Sequence, residues 1–223
     1  DIMDLLGVPE YRITNTYQSV LIPAKYADKP EDMVQREIEG TFGLEYKNYY
    51  LFWGSIEPKK NIGRLIEGYL ASGVAAPLVI VGAQAWKSKE ELKLLYDGNN
   101  RSLIQAGPET RVKPKVIQLS YCPFPLLVSL IKGAKATVFS SLYEGFGLPV
   151  LESMQLGTPV ITANTSSLPE VTGEAAILVN PYDTREIAQA IRALDADEDQ
   201  RENLAALGRV QAAKFSEAAY RER

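Results

Sequence analysis

Six short, mostly apolar runs recur along this chain, at residues 49–53, 78–81, 115–119, 136–139, 159–162 and 176–179. A strand with water on one side alternates polar and apolar residues. A run that is apolar nearly throughout must be covered on both faces. Helical patterns separate the runs. Ile62, Leu65, Ile66 and Tyr69 share one face of a helix over 61–70. Further helices are expected over 88–96 and 125–132, from Leu148-Pro149 onward, up to Leu194, and over 200–214. Strands and helices in alternation predict an α/β fold, a doubly wound parallel sheet of Rossmann-like type. Such sheets bind ligands beyond the carboxyl ends of their strands. The places to look are therefore after Trp53, Val81, Leu119, Phe139 and Thr162. The first 47 residues are less regular and begin with a short helix in Asp4-Leu5-Leu6-Gly7-Val8-Pro9, stopped by the glycine.

Composition narrows the chemistry. Histidine is absent, which excludes a Ser-His-Asp or Cys-His hydrolase within these 223 residues and removes the commonest metal ligand. Acid-base work falls to carboxylates, lysines, the substrate, or sequence outside this chain. The net charge of −4 argues against broad nucleic-acid binding. The single cysteine, Cys122, allows no intrachain disulfide and reads as a packed thiol in a reducing, cytoplasmic setting.

Two segments at the expected ligand edge carry motifs. In Ser140-Ser141-Leu142-Tyr143-Glu144-Gly145-Phe146-Gly147-Leu148-Pro149-Val150-Leu151-Glu152-Ser153, a strand leads through a glycine turn into a helix whose first turn holds a proline. Gly145 and Gly147 are expected to let the backbone bend sharply. The amides of Phe146, Gly147 and Leu148 would then face outward at a helix N-terminus and suit a phosphate. Glu144 precedes the loop, and Glu152 is expected on the first helical turn. Two carboxylates beside a phosphate site suit the hydroxyl pairs of sugars flanking a diphosphate. In Phe52-Trp53-Gly54-Ser55-Ile56-Glu57-Pro58-Lys59-Lys60-Asn61, a second strand and glycine turn bring Lys59 and Lys60 to the same edge. There they would neutralise a diphosphate in place of a metal ion. Asp195-Ala196-Asp197-Glu198-Asp199 imitates a metal-binding Asp-x-Asp, but it joins two helices, where acidic residues serve as caps.

These residues resemble the retaining GT-B glycosyltransferases of family 4. Tyr143 through Glu152 is similar to the family's Glu-x7-Glu signature, and 54–61 to its diphosphate loop, with Lys59 where arginine is usual. Leu168-Pro169-Glu170-Val171, Asn180-Pro181-Tyr182-Asp183 and Val81-Gly82 to Trp86 are similar to its other loops. The resemblance spans about 48–215 and implies a nucleotide-sugar-binding domain there, after an N-terminal domain and linker ending at 47 and before a tail at 216–223. It implies that Glu144 holds the donor sugar and Glu152 the ribose. Lys59, Lys60, Gly54 and the amides of the 145–148 turn would hold the diphosphate, and Ser120 and Tyr121 would border the base. It implies transfer with retention and without metal, usually described as front-side attack. The variant loop is similar to that of mannosyltransferases of bacterial surface polysaccharides, making GDP-mannose the first expected donor and a UDP-sugar the second. A glycan or lipid-linked acceptor would be bound by an N-terminal domain missing here, at the cytoplasmic face of a membrane, so this half is expected to be inactive alone. The rival readings are a non-catalytic nucleotide-sugar-binding module and a sugar-nucleotide epimerase of the same fold. A dehydrogenase is disfavoured because no Gly-x-Gly-x-x-Gly follows the first strand.

Overall fold

The computed structural model describes residues 2–83, 91, 93, 101–106 and 109–221. Its strands are β1 (Tyr50–Trp53), β2 (Leu78–Val81), β3 (Arg101–Ala106), β4 (Glu109–Pro114), β5 (Val116–Leu119), β6 (Ala136–Phe139), β7 (Val160–Ala163) and β8 (Ile177–Val179). Six of them form one parallel sheet in the order β5-β2-β1-β6-β7-β8. Every residue of β1, β2, β6 and β7 is buried, the condition that the apolar runs predict. All six expected strands fall within one residue of these bounds.

The antiparallel ribbon β3–β4 was not expected, because its sequence mixes Arg101, Ser102, Gln105, Glu109, Thr110 and Arg111 among few apolar residues. The helix expected over 88–96 lies outside the described residues apart from positions 91 and 93, as do residues 84–86 of the loop after β2.

The helices are α1 (Ile2–Leu6), α2 (Ala24–Ala27), α3 (Glu31–Glu37), α4 (Ile62–Ser72), α5 (Phe124–Gly133), α6 (Leu148–Gln155), α7 (Leu168–Thr172), α8 (Thr184–Ala196), α9 (Glu198–Ala213) and α10 (Glu217–Arg221). Gly7, at φ 63°, stops α1 as expected. Among the described residues no helix is long and apolar enough to cross a membrane.

Successive side chains of a strand point to opposite faces, and two adjacent tyrosines show which helices cover each. Tyr49 donates its hydroxyl to Leu130 O on α5 at 2.6 Å, while Tyr50 reaches Ile191 O on α8 at 3.1 Å. Each ring is fully buried, and a buried phenol needs a hydrogen-bond partner. The tyrosines thus latch one helical layer to each face. Burial pushes the hydroxyls of both well above the usual phenol range. The earlier segment joins the same core: Val20, Ile22, Val34, Ile38 and Leu44 are buried, and Val20 N donates to Phe215 O at 3.0 Å.

The strand order fixes where a ligand can enter. From β1 the chain winds one way to β2 and β5. It then crosses back to β6 and winds the other way to β7 and β8. The loops after β1 and β6 consequently diverge and leave a crevice between them.

Helices α4 and α8 approach closely at Gly68, where an added Cβ would lie 2.7 Å from Ile187 Cγ2 and 3.0 Å from Thr184 O. Alanine favours a helix over glycine by about 1 kcal/mol, yet overpacking costs about 1–3 kcal/mol. Gly68→Ala is therefore expected to lower the thermal midpoint by a few degrees. An unchanged or raised midpoint would show that the two helices can move apart freely.

Candidate functional site

The crevice between the loops after β1 and β6 is closed at its base by hydrogen bonds. Leu142 N donates to Lys59 O at 2.8 Å. Asn61, only 2% exposed, sits in the left-handed region and opens α4. Its Nδ2 donates to Ser140 O at 2.8 Å and to Pro181 O at 2.7 Å, joining the loops after β1, β6 and β8. Short polar Asn tolerates this backbone better than most residues, and its amide has two protons to give.

Above this base Lys60 Nζ donates to both carboxylate oxygens of Glu144, at 2.7 and 3.0 Å. Glu144 Oε1 also accepts from Ser141 Oγ at 2.7 Å. The Glu144 backbone is pinned by a serine pair: its amide donates to Ser166 Oγ at 3.0 Å. Ser167 Oγ lies 3.1 Å from Glu144 O and 2.9 Å from Phe146 O, and its one proton serves one at a time. Ser166 adopts φ 55°, outside the usual range for serine.

The turn into α6 bends at Gly147, whose φ of 102° is unfavourable for any side chain. A Cβ there would also lie 2.8 Å from Leu168 Cδ2. Gly145 corrects the expectation for the pair. Its φ is not positive and open space surrounds it, so one glycine makes the bend. Among the described residues, the amides at positions 145–148 donate to no carbonyl or side chain. Residues 144–149 line a cavity of about 660 Å³ together with residues 14–18 and Lys60. Unsatisfied donors at a helix start, reinforced by the helix dipole, are complementary to an anion.

Glu152 lies in the second turn of α6, not the first, since the helix begins at Leu148. Its Oε2 accepts from Trp53 Nε1 at 3.3 Å across the β1–α6 gap. Its Oε1 accepts from no described residue, and Glu152 is not among the residues that line the cavity. Burial pushes its carboxyl above the usual range, and the Trp53 bond opposes that only in part.

The other expected contacts stand apart from the cavity. Lys59 Nζ lies 3.3 Å from Glu57 and is half exposed. Gly54, at φ 142°, hydrogen-bonds its amide to Val81 O behind the crevice. Ser120 and Tyr121 are exposed and follow β5, two strand spacings (about 10 Å) from β1. In the acidic stretch, Asp195 accepts from Tyr50 and Lys135, and Asp197 caps α9 by accepting from Gln200 N at 2.8 Å. These are structural roles.

Several participants were not anticipated. Trp53, Asn61, Ser141, Ser166 and Ser167 hold the two glutamates and the loops. The serine pair stands in Thr165-Ser166-Ser167-Leu168-Pro169, a turn-and-helix-start sequence visible in retrospect. Residues 14–18 carry no such signal. Their contribution comes from Tyr17, which donates to Glu170 Oε1 at 2.7 Å and packs its ring against Phe146 and Phe215, 6.3 and 5.5 Å away.

An O-antigen chain mannosyltransferase B of Escherichia coli is 34% identical over 179 residues, 78% of this chain and 44% of its own length. The chain therefore spans less than half of that relative. A glycosyltransferase from Rickettsia africae superposes with a TM-score of 0.77 at 16% identity, over 98% of this chain and 57% of its own. The HepE protein of Anabaena, solved in complex with UDP, superposes with a TM-score of 0.72 at 16% identity, over 90% and 53%. At such identities the structures establish the fold, that of one half of a GT-B glycosyltransferase. Residues 34–211 match the profile of the glycosyl transferases group 1, and the chain belongs to that family.

Proposed function

We propose that this chain is the donor-binding half of a retaining hexosyltransferase that moves a sugar, mannose first among candidates, from a nucleotide diphosphate to a glycan or lipid-linked acceptor. One observation carries the reading: the unpaired amides of residues 145–148 and the Lys60–Glu144 pair line a single cavity at the switch point of the sheet. Diphosphate oxygens would seat on the amides and on Lys60, so these groups rather than a metal ion would take up the leaving charge. Glu144 would accept from sugar hydroxyls, and the free oxygen of Glu152 from the ribose. The mannosyl donor is favoured by the Escherichia coli relative, itself a mannosyltransferase, and a UDP-sugar by the UDP complex of HepE.

In the proposed transfer, the acceptor oxygen bonds to the anomeric carbon on the face from which the phosphate leaves. The carbon–phosphate-oxygen bond breaks, and the acceptor proton passes to the leaving phosphate. The acceptor would be bound by another domain at the cytoplasmic face of a membrane. This half alone would bind the donor without transferring it.

Calorimetric titration of the chain with GDP, GDP-mannose, UDP and UDP-glucose, without metal, tests the reading. One base series is expected to bind saturably. Loss of a charged acceptor costs about 1.5–3 kcal/mol, so Glu152→Ala is expected to weaken that series by roughly 10- to 100-fold. Equal affinities of variant and wild type would sink the assignment of Glu152.

The raised carboxyl of Glu152 has a consequence for stability. The ionised form of this carboxyl is partly desolvated in the folded protein, a cost absent once it is protonated. A folded-state value above the unfolded one means stability is lost as pH rises through the folded value. Glu152→Gln, neutral at every pH and still able to accept from Trp53, is therefore expected to melt higher than wild type at pH 7. At pH 4 that advantage should shrink. Melting curves showing a pH-independent difference would refute the desolvation argument.

A further inference from the structure

Among the described residues lining the cavity, Lys60 is the only cation and Glu144 the only carboxylate, and each is engaged by the other. Their side chains are 14% and 13% exposed, so water screens the pair weakly. The Lys60 ammonium gives its protons to both carboxylate oxygens of Glu144. An entering diphosphate competes for those protons. When it wins, Glu144 keeps only the Ser141 hydroxyl and lies uncompensated beside new negative charge. Its backbone is anchored by Ser166 Oγ, which accepts from its amide, and by Ser167 Oγ, 3.1 Å from its carbonyl oxygen.

The geometry points to the Lys60–Glu144 ion pair as the element that makes this site prefer a nucleotide sugar to a bare nucleoside diphosphate. The inference rests on the donor-binding reading and concerns discrimination between donor and product. Both ligands withdraw Lys60. Only the nucleotide sugar brings hydroxyl donors to replace the ammonium at Glu144, so only it restores the hydrogen bonds of that carboxylate. A partly buried charge left without a partner is costly, which penalises the bare diphosphate. The same penalty favours release of the product once the sugar has gone. Glu144 thereby weakens the binding of phosphate, although it belongs to the donor site.

The test is titration of wild type, Glu144→Gln and Lys60→Gln with inorganic pyrophosphate, GDP, UDP, GDP-mannose and UDP-glucose. Glutamine keeps the size of Glu144 and its acceptor for Ser141 while removing the charge. Glu144→Gln is expected to bind pyrophosphate and the nucleoside diphosphate about tenfold more tightly than wild type, the effect of ~1.4 kcal/mol of opposing pairing energy removed. The ratio of nucleotide-sugar to nucleoside-diphosphate affinity should fall. Lys60→Gln should weaken all phosphate ligands. Unchanged or weaker binding of the bare diphosphate by Glu144→Gln overturns the inference, and if nucleotides still bind wild type, the donor reading survives. Tighter pyrophosphate binding by Glu144→Gln, with neither base series bound by wild type, overturns the donor reading and leaves the ion-pair competition standing. Absence of binding by any of these ligands to the folded wild-type chain overturns both.

Discussion

Asn61 occupies the point where three loops of this domain must agree. The loops after β6 and β8 each present a carbonyl that has left the strand ladder, and Asn61 reaches both from the loop after β1. A single amide, itself almost wholly buried, gives one proton to Ser140 O and one to Pro181 O, while its oxygen accepts from Arg64 at 3.0 Å. Unpaired, such groups would each cost on the order of 1–3 kcal/mol. Asn61 also takes the left-handed conformation that lets the lysine turn break into α4. The position of Lys60, the start of α4 and the path of the 140–147 loop all follow from that one side chain.

The cavity is built by opposed tendencies. On one side the amides of residues 145–148 are left without partners among the described residues, and the carboxylate that lines the cavity, Glu144, is held in a largely buried ion pair with Lys60. Neither arrangement is what stability alone would choose. The sheet beneath supplies the rigidity that makes it tolerable: fully buried β1 and β6, with Tyr49 and Tyr50 latching helices from opposite faces. Serines 141, 166 and 167 then fix Glu144 with short side chains that lose little rotamer freedom.

The sheet was legible in the sequence because parallel strands are buried on both sides, and a run such as Leu78-Val79-Ile80-Val81 has no other good place to go. The loop after β6 was legible for a related reason, since a glycine that must take φ 102° two residues before a proline at a helix start leaves a local signature. Choosing between Lys59 and Lys60 was a different problem. The two are chemically identical neighbours on a 3-10 turn. Only the direction of each Cβ, set by the tertiary anchor at Asn61, sends one to Glu144 and the other to Glu57. Tyr17 was illegible because its partners Phe146, Glu170 and Phe215 lie more than a hundred residues away and no period links them. The β3–β4 ribbon is amphipathic in neither the helical nor the alternating sense, so periodicity passed over it.

The bare amides at positions 145–148 have a consequence for how this surface can vary. A main-chain N–H is present whatever side chain is attached, proline excepted. The anion-binding role proposed for this turn is therefore encoded in the path of the backbone and not in the identity of Phe146 or Leu148. Substitutions at those two positions can reshape the neighbouring wall, and so alter what else fits, without touching the proposed anion seat. Gly147 is the exception, since the path itself depends on it. Mutational freedom in this loop is thus uneven from one residue to the next, with tolerance on either side of a single intolerant position.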